Sequence, residues 1–283
     1  MRNADEGTVR RFGEEWSHFD QSDLPPHEQR QRFEEYFRVF PWEQLPSNAV
    51  GFDMGCGSGR WASEVAARVG HLHCIDASGS ALVVARRSLT EFPNCEFHEA
   101  SFGDIPLDDG SMDFGYSLGV LHHVPDTWSA MAECVRKLKV GAPFLAYMYY
   151  DFEFRPAWFR GAWKVSDVIR KRISHLPFRV RVTTTTILAG LVYWPLARGA
   201  RTAERLRADV SHFPLSYYRD KSFYTMRTDA LDRFGTSLEK RFSRSELETL
   251  MISSGLENIR FNDDEPYWCA VGFKAGQPSP ALH

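Results

Sequence analysis

The sequence predicts a doubly wound α/β fold, in which a parallel sheet carries helices on both faces. From residue 47 to residue 140, short apolar runs alternate with amphipathic segments, as in successive βαβ units. A glycine-rich loop follows the first apolar run and leads directly into helix-forming residues. The chain has 283 residues, of which 43% are hydrophobic, so it can build one good core together with a sizeable insertion.

The alternating region contains five predicted strands and three connecting helices. The strands are "AVGFDM", "HLHCID", "CEFHEA", "SMDFGYSL" and "APFLAYMYY", and the helices are "RWASEVAARVG", "GSALVVARRSL" and "DTWSAMAECVRKLK". Asp126 and Thr127 supply capping oxygens at the start of the third helix. A helix at "PHEQRQRFEEYFRVF" precedes the first strand. A helix at "SRSELETLMISS" and strands at "GLENIRFN" and "YWCAVGFK" complete the sheet.

The alternation stops between Phe152 and Phe242, where we predict a mostly helical insertion. "AWFRGAWKVSDVIRKRISHL" has apolar residues three and four apart, which indicates an amphipathic helix. Gly190, Pro195 and Gly199 interrupt the next apolar stretch, which indicates a kinked or broken helix. The predicted units are a helical N-terminal segment (1–46), an α/β core (47–151), the insertion (152–241), a C-terminal helix with two strands (242–274) and a disordered tail (275–283).

The charge distribution excludes some partners and suggests others. The chain has 34 Lys and Arg against 37 Asp and Glu, so its net charge of -3 does not predict a nucleic-acid-binding protein. Residues 152–210 nevertheless carry 12 basic and four acidic side chains, a local charge of +8, interleaved with Trp and Tyr. Such a segment suits an anionic or amphiphilic small molecule, and we expect at most weak contact with a membrane surface.

Cysteine usage and hydropathy predict a cytoplasmic protein without a metal site. The five cysteines contain no CxxC pair and fit reduced core thiols. The start, "MRNADEGTVRRFGEEW", has no apolar signal region, and "ILAGLVYWPLA" is too short to cross about 30 Å of hydrocarbon. No HExxH or zinc-type spacing is present, and strand alternation in "HLHC" is expected to send its residues to opposite faces.

The loop "GCGSG" after the first strand predicts a nucleotide-type ligand at the start of a helix. Glycines there bring backbone amides close to a ligand, and "GSGRWA" also satisfies the dinucleotide fingerprint. Asp53, two residues before Gly55, favours a cationic ligand over a pyrophosphate. Asp76 ends the second strand, where a carboxylate accepts hydrogen bonds from a ribose. Both an NAD-type cofactor and a cationic nucleoside therefore remain open on these residues.

The segments "DMGCGSG", "CIDAS" and "DGSMDFGYSLGVLHHVPD" resemble motifs of the class I S-adenosylmethionine-dependent methyltransferases. The resemblance covers residues 50–139, and it is thinner at "ELETLMISSGLENIRF". It implies a Rossmann-like, mostly parallel sheet with an antiparallel C-terminal strand, an N-terminal segment over the cofactor, and an insertion that forms a lid for the acceptor. The residues implied to bind the cofactor are Trp16, Asp53, Gly55, Gly57, Gly59, Asp76, Ala77, Ser101, Phe102, Ser117 and Leu118. Ser101 and Phe102 depart from the acid and small residue that are usual in the family.

Methyl transfer needs mainly alignment and exclusion of water, and a general base helps when the acceptor is a hydroxyl or an amine. His122 and His123 are the candidate bases at the mouth of the expected site. The candidate acceptor-binding residues are Tyr150, Tyr217, Tyr218 and Arg219. We expect methyl transfer to a small, lipophilic or anionic acceptor, with oxygen as the favoured atom.

Other functions remain open on the sequence alone. Within methyl transfer, the alternatives are C-methylation of an isoprenoid or quinone-like acceptor and O-methylation of a sugar. Outside it, the glycine loop also permits an NAD-type oxidoreductase or a non-catalytic module that binds the cofactor.

Overall fold

A seven-stranded sheet forms the centre of the computed structural model, which describes residues 3–153, 155–210, 213–236 and 238–276. The strand order is β3-β2-β1-β4-β5-β7-β6. Strands β1 to β5 are parallel, whereas β7 is antiparallel to both β5 and β6. This confirms the predicted sheet. The strands are β1 (Val50–Met54), β2 (His71–Asp76), β3 (Cys95–Glu99), β4 (Phe114–Leu118), β5 (Pro143–Tyr147), β6 (Leu256–Phe261) and β7 (Cys269–Lys274).

Ten α-helices surround this sheet in the described ranges. They are α1 (Glu6–His18), α2 (Pro26–Tyr36), α3 (Ala62–Ala66), α4 (Gly79–Ser88), α5 (Thr127–Lys137), α6 (Ala157–Ile173), α7 (Phe178–Leu188), α8 (Trp194–Arg205), α9 (Phe223–Gly235) and α10 (Arg244–Ser253). Helix α1 lies in the N-terminal segment (1–46) that is predicted to be helical, although the sequence analysis assigns a separate helix only to "PHEQRQRFEEYFRVF". It begins where the Asp5 carboxylate caps the Thr8 amide at 2.7 Å, and it packs against α4 and α9. Most of the tail predicted to be disordered lies beyond residue 276, outside the described residues.

Two apolar clusters cover the two faces of the sheet. Phe52, Met54 and Phe144 pack under α5 and α10 on one face. Phe114 and Tyr116 pack under α2, α3 and α4 on the other. Because β1 to β4 are parallel, their carboxyl ends lie along one edge, where ligands of such sheets bind.

The insertion is helical and has an apolar cluster of its own, in which Tyr193, Met226 and Phe234 join α9 to the chain between α7 and α8. A π-helical turn at Ala189–Tyr193 interrupts the second apolar stretch, as the glycine and proline positions predict. Among the described residues, no helix has both the length and the hydropathy to cross a bilayer.

Helix α6 forms where it is predicted, but much of its apolar stripe is exposed, whereas Ile173 at its end is buried in the cluster of the insertion. Trp158 is 55% exposed and Val165 is 64% exposed. Arg170 is buried instead, where it pairs with Asp167 at 2.7 Å and donates to the Thr236 carbonyl at 2.8 Å. The side of α6 that faces the protein is therefore held partly by polar contacts with the end of α9.

Candidate active site

The glycine-rich loop joins β1 to α3 at the carboxyl edge of the sheet. Gly55, Gly57 and Gly59 have positive φ angles of 86°, 55° and 79°, which residues without a Cβ adopt most easily. The amides of Gly55 and Cys56 donate to the Ile75 carbonyl at 2.7 and 3.0 Å. These bonds fix the loop to the end of β2.

Different neighbours crowd Gly57 and Gly59. A Cβ on Gly57 would lie 2.9 Å from Nε1 of Trp16, so α1 passes directly over this glycine. A Cβ on Gly59 would lie 3.0 Å from the Leu89 side chain, just after α4. Gly59 therefore allows α4 to pack closely against the loop. It does not line the cavity that is described below, in contrast to its predicted contact with the cofactor.

The Asp76 carboxylate connects the loop to the turn that precedes α4. One oxygen accepts from the Gly57 amide at 2.9 Å, and the other accepts from the Ser78 amide at 2.8 Å. Burial raises the pKa of Asp76, and these two hydrogen bonds oppose that rise. The carboxylate thereby holds the loop in place and lines the cavity beside it.

A first cavity, which we call the cofactor cavity, lies between the strand ends and α1. It is lined by backbone, polar and aromatic groups, as sites for small-molecule ligands commonly are. The structure brings together most of the predicted cofactor-binding residues around it: Trp16, Gly55, Gly57, Asp76, Ala77, Ser101, Phe102 and Leu118. A cradle of bare backbone, a ribose-type carboxylate and an aromatic cover fits S-adenosylmethionine.

Asp53 and Ser117 do not line this cavity, so the structure gives no support to direct contacts between their side chains and the cofactor. Asp53 follows Phe52 along β1, so its side chain points to the opposite face of the sheet, towards Tyr116. Burial raises the pKa of Asp53 well above its ordinary value, which favours a neutral carboxyl group. The Ser117 hydroxyl donates to the Met54 carbonyl at 2.8 Å and is buried within the sheet.

A second cavity, which we call the acceptor cavity, adjoins the first and is the larger of the two. It lies between the ends of β4 and β5, the helices of the insertion and α1. Four of its lining residues are also exposed, and so mark its mouth: Trp158, Ile169, Val192 and Phe213. Six residues line both cavities: Phe12, Trp16, Arg60, Trp61, Leu118 and Gly119.

Charged side chains line the inner part of the acceptor cavity. Arg32 lies 3.5 Å from Asp229, and the Arg60 guanidinium lies 4.3 Å from the centre of the Trp61 ring. Tyr149 donates its hydroxyl to Asp232 at 2.7 Å. Burial raises the pKa of Asp232, and the electrostatic interaction with the nearby His123 opposes that rise. The cavity therefore combines aromatic walls with buried cations and carboxyl groups.

The two candidate histidines occupy different environments. His122 is fully buried, lies in neither cavity, and stacks its ring 4.0 Å from that of Tyr149. Burial lowers the pKa of His122 well below its ordinary value, and neither ring nitrogen has a hydrogen-bond partner in the described part of the chain. His122 therefore lines neither cavity, and the structure does not support its predicted role as a base.

His123 lines the cofactor cavity and is oriented by one short hydrogen bond. Its Nδ1 lies 2.6 Å from the Leu238 carbonyl, which can only accept, so the proton resides on Nδ1. The Nε2 atom then carries a lone pair, and it has no partner among the residues described. Phe12 packs against the ring at 5.0 Å between centroids.

Three of the four predicted acceptor-binding residues line the acceptor cavity, namely Tyr150, Tyr217 and Tyr218. Arg219 does not. Its guanidinium lies 3.0 Å from the Glu204 carboxylate, on the outside of the insertion. The sequence analysis missed Glu15, Tyr149, Asp229 and Asp232, which also line the cavity. The spacing in "MRTDALDRF" carries a signal for the last two, since residues three apart share one face of a helix.

Comparison with known proteins agrees with this geometry. Residues 52–146 match the model of a family described as a methyltransferase domain. A ubiquinone biosynthesis O-methyltransferase from Aromatoleum aromaticum is 35% identical over 91 residues, which are 31% of this chain and 39% of that protein. A ubiquinone/menaquinone biosynthesis C-methyltransferase from Brucella anthropi is 33% identical over 118 residues, or 38% of this chain and 44% of that protein. The chain thus spans less than half the length of these curated relatives.

One solved structure matches almost the whole chain. It belongs to the complex between the Haloferax volcanii Trm112 methyltransferase activator and a methyltransferase. The TM-score is 0.52 at 15% identity, with 93% of this chain and 98% of that chain covered, which shows a shared fold. The family match also bears on the two cofactor types that the glycines leave open. Residues 52–146 of the α/β core are similar to a methyltransferase domain, which favours S-adenosylmethionine over a nicotinamide dinucleotide.

Proposed function

We propose that the protein transfers a methyl group from S-adenosylmethionine to a small, lipophilic or anionic acceptor that is held in the acceptor cavity, with oxygen as the atom methylated. The observation that carries this proposal is the wall of six residues that the two cavities share. Bound at the strand ends, the cofactor supplies an electrophilic methyl group. Phe12, Trp16 and Trp61 confine the junction and exclude water, which suits an in-line displacement.

The walls of the acceptor cavity support a largely apolar acceptor with a polar or anionic group. The exposed apolar residues at its mouth would cover the apolar body of such a molecule. Arg60 and Arg233 line the inner part, and neither has a carboxylate within 4 Å in the ranges that the structure describes. A guanidinium in that position can receive an anionic or hydroxyl-bearing head group.

His123 is the residue best placed to act as general base. The Leu238 carbonyl fixes the tautomer in which Nε2 can accept a proton. Asp232, close enough to respond to the charge of His123, would stabilise the imidazolium that forms. The Tyr149 hydroxyl holds that carboxylate in place.

Replacing His123 by Ala should lower kcat by about 100-fold and leave the affinity for S-adenosylhomocysteine nearly unchanged. The reason is that only the proton-transfer step loses its base. Steady-state kinetics on the purified acceptor, from pH 6 to pH 8, would measure the effect. The His122→Ala variant is the matched comparison, and it should lose stability rather than the pH dependence of kcat. An unchanged pH profile in His123→Ala would show that alignment alone carries the reaction.

A charge at the mouth of the acceptor cavity should weaken the binding of lipophilic molecules. Ile169→Asp places a carboxylate on an exposed residue that lines the cavity, whereas Val165→Asp places one on the same helix outside it. Losing the burial of one isoleucine costs about 1.5 kcal/mol or more, so affinity should fall at least roughly tenfold. Titration with the apolar anionic dye anilinonaphthalenesulfonate would measure this. If both variants lower the affinity for the dye equally, the dye binds outside the acceptor cavity.

Two measurements separate methyl transfer from its rivals. Calorimetry should detect binding of S-adenosylhomocysteine and none of NAD, which distinguishes this protein from an oxidoreductase. Incubation of cell extract with the protein and methyl-deuterated S-adenosylmethionine, followed by mass spectrometry, should then reveal a labelled product. Binding without any labelled product would favour a non-catalytic module. The position of the label distinguishes O-methylation from C-methylation and identifies a sugar acceptor.

A further inference from the structure

A cluster of imidazoles and one carboxylate lies on the outer strands of the sheet, away from both cavities. Strand β2 supplies His71 and His73, and β3 supplies Glu96 and His98. The register pairs His73 with Glu96 and Ile75 with His98, so all four side chains project from one face. The sequence analysis expected alternation to scatter the residues of "HLHC". Alternation separates neighbours, but it keeps His71 and His73, which are two apart, on the same side.

The distances between the possible ligand atoms match those around a small divalent cation. Nε2 of His71 lies 3.3 Å from a Glu96 oxygen, and Nδ1 of His73 lies 3.6 Å from the same oxygen. Nε2 of His98 lies 3.0 Å from Nδ1 of His73 and 3.6 Å from the other Glu96 oxygen. Ligands about 2.0 to 2.1 Å from a tetrahedral zinc ion stand roughly 3.3 Å from one another. The ligand atoms of His71, His73 and Glu96 all lie within 4.8 Å of one another, and His98 adjoins them through His73 and the other Glu96 oxygen.

The donor atoms of the three histidines and of Glu96 also favour a cation. Imidazole nitrogens and carboxylate oxygens are among the donors that zinc takes in proteins, and the cluster offers three of the first and one of the second. The ion pairs of Glu96 within the described residues are those with the three histidines. A divalent ion bound there would offset the charge of this carboxylate.

We propose that His71, His73, Glu96 and His98 form a zinc-binding site that ties β3 to β2. Strand β3 is the last strand on its side of the sheet, and it leads directly to Ser101 and Phe102 in the cofactor cavity. An ion at this site would stabilise an otherwise open sheet edge. The proposal is independent of the proposed methyl transfer, since none of the four residues lines either cavity.

Calorimetry of the chelator-treated protein with zinc chloride tests the site. We expect one tight equivalent, together with a rise in Tm when zinc is added. Glu96→Gln and His71→Ala change partly exposed side chains, so both variants should fold. Each should raise the zinc Kd about 100-fold or more, because even residues that only support the ligands cost about 10- to 100-fold.

His175→Ala, which removes an exposed histidine from the insertion, is the matched control and should bind zinc like the parent protein. Cobalt substitution adds a spectroscopic readout, since a tetrahedral site gives strong visible absorption that the Glu96→Gln variant should lose. Zinc bound equally well by the parent and by both site variants would show that the metal binds elsewhere on the chain and would overturn the proposal. The absence of binding to the parent protein would overturn it as well.

Discussion

Gly57→Val should reduce cofactor binding below detection while the protein still unfolds cooperatively. The first added carbon would lie 2.9 Å from Nε1 of Trp16, in the space between the loop and α1. The branched side chain extends further into the cofactor cavity, where the backbone must approach the ligand. Calorimetry with S-adenosylhomocysteine and thermal unfolding followed by circular dichroism would measure the two properties separately.

Gly141→Val is the matched control for backbone strain. Gly141 has a φ of 79°, similar to the residues of the loop, but no atom lies within 4 Å of an added Cβ. In both variants, valine must adopt a left-handed backbone conformation, at a cost of about 1 to 2 kcal/mol. Only Gly57→Val also obstructs the cofactor cavity. Normal cofactor binding by Gly57→Val would show that the loop is merely a turn.

Asp76→Ala should raise the Kd for S-adenosylhomocysteine by about 100-fold or more. Two hydrogen bonds to a ribose, each worth about 1.5 to 3 kcal/mol when one partner is charged, account for this loss. The substitution also leaves the amides of Gly57 and Ser78 without their acceptor, which loosens the loop. Both effects act in the same direction, and calorimetry would measure their sum.

Asp76→Asn separates these two effects, because the amide retains one acceptor oxygen for the loop but lacks the charge. Its affinity should lie between those of the parent protein and Asp76→Ala. Asp108→Ala, at an exposed position outside both cavities, should bind like the parent protein. Parent-like affinity in Asp76→Ala would remove this carboxylate from the cofactor site.

Much of the cofactor cavity could be predicted from the sequence because its residues follow strands. Asp76, Ala77, Ser101, Phe102 and Leu118 all lie at or just after a strand end, and parallel strands bring those ends together. The alternation of side chains along β1 also indicates where Asp53 points, although the predicted contact between Asp53 and the cofactor did not take it into account. Phe52 and Met54 occupy one face, so the residue between them must point to the other.

Other features depend on tertiary contacts that the sequence pattern does not specify. His122 and His123 are adjacent, and which of them reaches a cavity depends on the short 3₁₀ turn at Leu121–His123. The spacing of apolar residues correctly predicts that α6 is a helix. The side of α6 that faces the protein depends instead on Arg170, which donates a hydrogen bond to the Thr236 carbonyl. Asp229 and Asp232 become cavity residues only because α9 packs beside the strand ends.

Helix α1 forms part of the wall of both cavities through Phe12 and Trp16. The Glu14 carboxylate, on the same helix, pairs with the buried Arg181 of the insertion at 2.6 Å. Under the proposed function, the methyl donor and its acceptor would therefore share α1 as a barrier against solvent. Lifting of α1 would then expose both reactants to water at once, so the integrity of one helix would govern how long an activated methyl group stays protected from hydrolysis.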